Sequence, residues 1–153
     1  MLKALFLTFG TALLPVLEIR GAIPVGIAHD LDPWVTYIVG VIGNMLPIPF
    51  LILLTRQIIA WLEKHNILVR FTNWLRRKGK EKSEVIEKSS FWGLMILVAI
   101  PLPGTGAWTG ALVASFLDMS LKRSLPAITL GVLIAGGIVM AVTFGVISVG
   151  ALV

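Results

Sequence analysis

The stretch that decides the fold is Ile100-Pro101-Leu102-Pro103-Gly104-Thr105-Gly106-Ala107-Trp108-Thr109-Gly110, which lies in the middle of an apolar block from 91 to 117. The block is long enough to cross a bilayer, because about 20 apolar residues suffice. A proline inside a helix costs about 3 kcal/mol, and Gly104 and Gly106 permit backbone angles that other residues resist. The stretch therefore predicts two half-helices joined by a non-helical turn at membrane depth, an arrangement typical of transport sites.

The composition indicates an integral membrane protein. The chain has 153 residues, 57% of them hydrophobic, and a mean hydropathy of +0.94, whereas a soluble domain is about 45–50% apolar. One transmembrane domain over 1–153 fits this length. The net charge of +5 is concentrated in one loop, so it is interpreted as a topology signal and no nucleic acid partner is expected. Because there are no cysteines, and His29 and His65 lack metal-ligand spacing, no metal or cofactor is expected.

The first apolar block, residues 4–17, is too short for a simple span. As a helix it would reach about 21 Å, against a hydrocarbon core of about 30 Å. It is followed at membrane depth by Glu18-Ile19-Arg20-Gly21-Ala22-Ile23-Pro24-Val25-Gly26. We expect the helix of this block to break as well. The expected re-entrant loop residues are Gly21, Pro24 and Gly26 in the first block and Pro101, Pro103, Gly104, Gly106 and Gly110 in the second.

Two other blocks, 34–61 and 124–150, are expected to span the membrane, the first with a kink near Pro47 and Pro49. Between the halves, residues 62–90 carry eight basic and four acidic side chains, which predicts a cytoplasmic loop. Apolar residues recur in it at helical spacing at Ile67, Leu68, Phe71, Trp74 and Leu75. They predict an amphipathic helix on an anionic leaflet; an ordinary solvated loop is the alternative.

Two topologies are compatible with these blocks. In one, all four blocks span; in the other, blocks 4–30 and 91–118 are re-entrant hairpins that enter from opposite sides. The broken blocks favour the hairpins, with repeat halves near 1–61 and 91–153. Ala22-Ile23-Pro24 recurs as Ala99-Ile100-Pro101, which supports an inverted repeat. Because the broken backbone needs protein cover, we also expect a homodimer.

Glu18 and Arg20 are the charged residues most deeply embedded in an apolar block, where a charge costs at least about 2.5–3.5 kcal/mol. In the functional interpretation Glu18 binds and releases a proton, while Arg20 holds an anionic group by bidentate contacts. The alternative is a structural ion pair. Asn44 would face a cavity or bond across helices. Thr105, Trp108 and Thr109 follow the second turn, where free N–H groups would bind an anion.

These two glycine- and proline-containing stretches, 17–26 and 100–110, resemble the signature stretches of the small multi-drug export protein family. That family is in turn similar to the wider DedA-like membrane proteins, which pair re-entrant hairpins with spanning helices. The resemblance implies transport in the cytoplasmic membrane of a prokaryote, with Glu18 and Arg20 as the acidic and basic pair of the first hairpin. Residues 91–117 contain no arginine, which departs from the DedA-like pattern and weighs against phosphate-lipid substrates.

The sequence thus predicts a transporter or flippase, proton-coupled, for an amphiphilic and anionic molecule, with membrane lipids as its surroundings. A passive channel and a lipid-binding scaffold without transport are the alternatives. No enzyme is expected, because the residues supply no nucleophile–base pair or metal cluster and Glu18 alone has the setting of a catalytic acid.

Overall fold

The computed structural model describes residues 1–65, 73, 83–102 and 104–150. Most of the described residues are helical and none is in a strand, which confirms the all-helical class. The helices are α1 (Leu2–Leu13), α2 (Glu18–Ala28), α3 (Pro33–Met45), α4 (Ile48–Lys64), α5 (Ser83–Ala99), α6 (Ala107–Phe116) and α7 (Leu121–Gly150).

Two segments are long and apolar enough to cross a membrane, by length and composition. They are Pro33–Lys64, which combines α3 and α4, and Leu121–Ile147 in α7. Only 33% and 22% of their most apolar windows are buried in the protein, so most of this apolar surface faces outward, as expected of helices that meet lipid. Both predicted spans are thus supported. The first bends at Pro47, where the predicted kink lies.

The first turn lies earlier than the sequence predicted. The chain leaves α1 at Leu14, whose backbone is extended (φ −75°, ψ 133°), because a residue followed by proline, here Pro15, avoids the helical region. Gly21, Pro24 and Gly26 were expected in a re-entrant loop, but all three lie inside α2. That prediction was wrong because one proline removes only one backbone donor, and α2 continues past Pro24.

The second turn lies where it was predicted, except that Gly110, expected in the loop, lies inside the helix that follows it. The turn separates α5 from α6 and contains Pro101, Gly104 and Gly106; both glycines have positive φ, 82° and 125°. Pro103 lies outside the described residues. Helix α5 begins at Ser83 rather than near 91, so part of the predicted loop 62–90 is helical. The predicted amphipathic helix falls mostly on 66–72 and 74–82, outside the described residues.

Helices α2 and α6 end in the same way. In each, an aspartate with left-handed φ follows the helix, Asp30 (56°) and Asp118 (53°). The next N–H, of Leu31 or Met119, bonds back to a carbonyl in the last turn at 3.1 and 2.9 Å, which is a Schellman motif. This pattern occurs in both halves. The two Ala-Ile-Pro stretches do not occupy equivalent places in the structure, because Pro24 lies inside a helix and Pro101 lies in a turn.

When the two halves are aligned with Asp30 on Asp118, Gly43 of α3 corresponds to Gly131 of α7. Both glycines allow a close helix approach: a Cβ on Gly43 would lie 3.0 Å from Phe9 O of α1, and one on Gly131 would lie 2.8 Å from Met95 O of α5. Each long helix therefore packs closely on the first helix of its own half. The two halves share one local architecture of helix pair, Schellman turn and long helix.

Candidate functional site

The N-terminus of α6 is capped by a side chain from the other half of the protein. A helix begins with unpaired N–H groups, and the N-cap residue Gly106 has no side chain to satisfy them. Glu18, at the start of α2, accepts from the N–H of Ala107 at 3.3 Å and of Trp108 at 3.1 Å. Glu18 is only 3% exposed. The anion site predicted at this half-helix is thus occupied by the protein's own carboxylate.

Arg20 binds the carbonyl side of the same turn. Its guanidinium donates to Leu102 O, to Ile100 O at 3.4 Å and to Thr105 O at 2.8 Å. It also donates to Thr105 Oγ1 at 2.8 Å. The carbonyls of a turn lack the hydrogen bonds that a continuous helix would give them, so they need other donors. A guanidinium supplies several donors in one plane. We call these contacts of Glu18 and Arg20 with residues 100–108 the tip contact.

Glu18 and Arg20 do not form an ion pair with each other in the described structure. Each binds backbone groups of opposite polarity: the carboxylate takes N–H groups, and the guanidinium takes carbonyls. The structural ion pair considered from the sequence is therefore not what the structure contains. In this state the Arg20 fork is also engaged by the turn rather than open to an external anion.

Thr105 and Thr109 stabilise the turn from within. The Thr105 hydroxyl has two carbonyls in reach, Ile100 O at 2.7 Å and Leu102 O at 2.8 Å. The Thr109 hydroxyl donates to Gly104 O at 3.0 Å. Trp108 contributes its backbone N–H to the tip contact, while its buried indole Nε1 has no hydrogen-bond partner among the described residues.

Glycine is required at position 106 by the carboxylate next to it. A Cβ on Gly106 would overlap Glu18 Oε2 and lie 2.7 Å from Glu18 Cδ. Its φ of 125° is a second reason. Glu18 itself has a left-handed φ of 49°, which costs a non-glycine residue about 1–2 kcal/mol. Backbone strain of this kind concentrates at functional sites.

A cleft lies beside the tip contact. It has about 150 Å³ of space between atoms, part of it open to the surroundings, and it is too narrow to hold a water molecule. We call it the central cleft; its lining is Glu18, Ile19, Arg20, Asn44, Val98, Ala107, Val132 and Ala135. Asn44 is completely buried, and neither its Oδ1 nor its Nδ2 has a hydrogen-bond partner among the described residues. Asn44 thus lines this cleft, and its role in substrate binding stays a prediction.

Arg56 is a residue whose role sequence reasoning missed. It is partly buried and donates to Met119 O, in the turn that follows α6. Helix α6 carries no charge of its own, yet Glu18 lies at its positive end and Arg56 near its negative end. Both charges match the helix dipole.

The sequence also matches the model of a known protein family. Residues 18–138 match the family model for the small multi-drug export protein. The chain belongs to the small multi-drug export protein family. The matched segment begins at Glu18 and includes both partners of the tip contact, and the family's name indicates a membrane protein of drug export. No curated protein sequence and no solved structure matches the chain.

Proposed function

We propose that the protein is a proton-coupled secondary transporter that moves an amphiphilic molecule with an anionic group together with a proton. One observation carries the proposal: among the described residues Glu18 is the one charged side chain that is buried, and it joins the two halves of the protein. An ionised carboxylate accepts strongly from backbone N–H groups. Protonation removes the charge, so the tip contact weakens and the central cleft can open.

The same geometry explains how substrate binding would be coupled to protonation of Glu18. When a protonated Glu18 leaves α6, the N–H groups of Ala107 and Trp108 lose their acceptor. A helix N-terminus with free N–H groups binds anions, and Arg20 lies beside it. An anionic substrate group would then replace the Glu18 carboxylate. Carboxylate and substrate compete for one site, so a proton must arrive before the substrate binds.

The lengths of the helices support a re-entrant arrangement. Helices α2 and α6 have 11 and 10 residues, or about 16 and 15 Å each. That is half of a hydrocarbon core of about 30 Å. Two helix pairs that enter from opposite sides would meet at the midplane, where the tip contact would lie. In this arrangement the halves would be an inverted repeat.

The proposed orientation follows from the charges. The loop 62–90 would lie in the cytoplasm of a prokaryote, with the protein in the cytoplasmic membrane and both termini outside. Arg56, in the middle of α4, bonds to Met119, so the turn before α7 lies beside α4. The outward-facing apolar surface would be covered by lipid and by a second copy in a homodimer.

Proteoliposomes would test the function. With an anionic naphthalene sulfonate dye as the probe, wild-type protein should accumulate dye against its gradient when a pH gradient is applied. It should also show saturation and trans-stimulation. Glu18→Gln should keep dye exchange down its own gradient and lose the response to pH. Glu63→Gln, which removes a carboxylate near the end of α4, is the matched control.

Two results would contradict the proposal. Flux without saturation or trans-stimulation would indicate a passive channel, and binding of the dye without flux would indicate a scaffold. A Glu18→Gln protein that still accumulates dye in response to the pH gradient would exclude Glu18 as the coupling residue.

A further inference from the structure

We infer that Asn44 is a second binding place for the Glu18 side chain, used when Glu18 is protonated. The inference rests on the proposed function, since it assumes that Glu18 gains a proton. It adds a positioning residue on α3, outside the two turns. In this scheme Glu18 alternates between α6 and Asn44, and its protonation state selects the partner.

The first support is the state of Asn44. Its carboxamide is completely buried, with both polar atoms unpartnered among the described residues. Buried amides in native proteins almost always have partners, and an exception calls for an explanation. Water cannot supply the partner here, because the central cleft has no room for it. Glu18 lines the same cleft, and among the described lining residues only a protonated Glu18 could both donate to and accept from Asn44.

The second support is the match between hydrogen-bonding groups. An ionised carboxylate only accepts, and it faces two donors, the N–H groups of Ala107 and Trp108. A protonated carboxyl has one donor and one acceptor, as a primary carboxamide does. The Glu18 O–H would donate to Asn44 Oδ1, and Asn44 Nδ2 would donate to the Glu18 carbonyl oxygen. The proton comes from solution and stays on Glu18 throughout.

Among the described residues that line the cleft, no other polar group offers this match. Arg20, from the same helix, has a buried Nε–H without an acceptor, which adds a donor but no acceptor. On α3 the Tyr37 hydroxyl donates to Leu133 O of α7 at 2.7 Å. On α1 the Thr8 hydroxyl donates within its own helix. The cleft residues from α5, α6 and α7 are apolar, and the cations Lys3, Lys122 and Arg123 are not among the lining residues.

The backbone of Glu18 gives the movement a physical basis. Its left-handed φ of 49° is unfavourable for a residue with a side chain. This conformation is stable while the ionised carboxylate holds the α6 N-terminus. Once a proton weakens those hydrogen bonds, the backbone can relax and the side chain can turn into the cleft. Asn44 then satisfies the protonated carboxyl inside the protein.

The test compares Asn44→Leu, which has nearly the same shape without polar atoms, with wild type at alkaline and at acid pH. At alkaline pH the variant should unfold at the same or a higher temperature than wild type, because an unpartnered amide is gone. At acid pH it should unfold several degrees below wild type, because the protonated carboxyl has lost its partner. Asn44→Ala, which cannot clash, is measured in parallel in case the leucine variant does not fold.

Infrared difference spectroscopy separates the inference from the proposed function. Wild type should show, at acid pH, a carboxylic acid C=O band that is missing in Glu18→Gln; without that band, Glu18 does not titrate and the proposed function fails. Given the band, Asn44→Leu should move it to higher frequency, since the carbonyl has lost a donor. An unmoved band, together with the same change in unfolding temperature at both pH values, would overturn the inference alone.

Discussion

At the scale of single residues, the account depends on Glu18, which combines three unusual features. It is a buried charge, it has a left-handed backbone, and it caps a helix of the other half. Each feature costs free energy alone, through desolvation, strain or the ordering of a side chain. Together they place a carboxylate where its charge decides whether two parts of the protein touch.

Gly106 provides the most specific residue-scale prediction. Gly106→Ala should destabilise the protein more than Gly104→Ala. Both positions have positive φ, but only a Cβ at 106 would overlap the Glu18 carboxylate, whereas one at 104 has no neighbour within 4 Å. Thermal unfolding in detergent measures the difference.

A double-mutant cycle identifies the cause. In a Glu18→Ala background, Gly106→Ala should cost no more than Gly104→Ala, because the carboxylate it would displace is gone. An extra cost of Gly106→Ala that persists in that background would show that the glycine is needed for reasons other than Glu18.

At the scale of elements, α6 is a short apolar helix whose ends are satisfied by other parts of the chain. Glu18 of α2 binds its first N–H groups, and Arg56 of α4 binds the turn after its end. In the proposed re-entrant arrangement water could not satisfy these groups at membrane depth. These two contacts with other helices would then explain how the broken backbone is tolerated.

Close helix packing gives the element-scale prediction. Gly131→Ala should destabilise the protein by about 1–3 kcal/mol, because its Cβ would lie 2.6 Å from Val98 Cβ and 2.8 Å from Met95 O. Gly43→Ala should behave in the same way against α1. Gly137→Ala, with nothing within 4 Å, should be neutral or stabilising, because alanine favours helix. Equal effects of all three on unfolding temperature would contradict this account of the packing.

The break between α5 and α6 was predictable, because two prolines and closely spaced glycines leave no continuous helix. The first break was misplaced, because Pro24 was given more weight than Pro15. The embedded charges identified Glu18 and Arg20 as site residues. Their partners could not be predicted, because contacts between positions some 80–90 residues apart leave no local pattern.

At the scale of the whole molecule, two halves with the same local architecture meet through the tip contact. When the two Schellman turns are aligned, Glu18 corresponds to Gly106, and Asn44 corresponds to Val132. All four lie at the central cleft or the contact beside it. Such a junction is where a small movement of one half can open a path between them. The proposed transport would therefore be a rearrangement at this junction.

Topology is the whole-molecule prediction. In the chain without its own cysteines, Lys122→Cys should react with an impermeant thiol reagent from the cytoplasmic side. Lys3→Cys should react from the outer side. Labelling of Lys3→Cys from the cytoplasm and Lys122→Cys from outside would instead support four plain spans.

The central claim is that the charge of Glu18 holds the two turns together. Its most direct test is the distance between spin labels on Val16→Cys and Leu102→Cys, both exposed positions in the turns, measured in lipid. The account predicts a short distance at alkaline pH and a longer one at acid pH. In Glu18→Gln it predicts the longer distance at every pH, and in Glu63→Gln the wild-type response. One short distance, independent of pH and shared by wild type and Glu18→Gln, would contradict it.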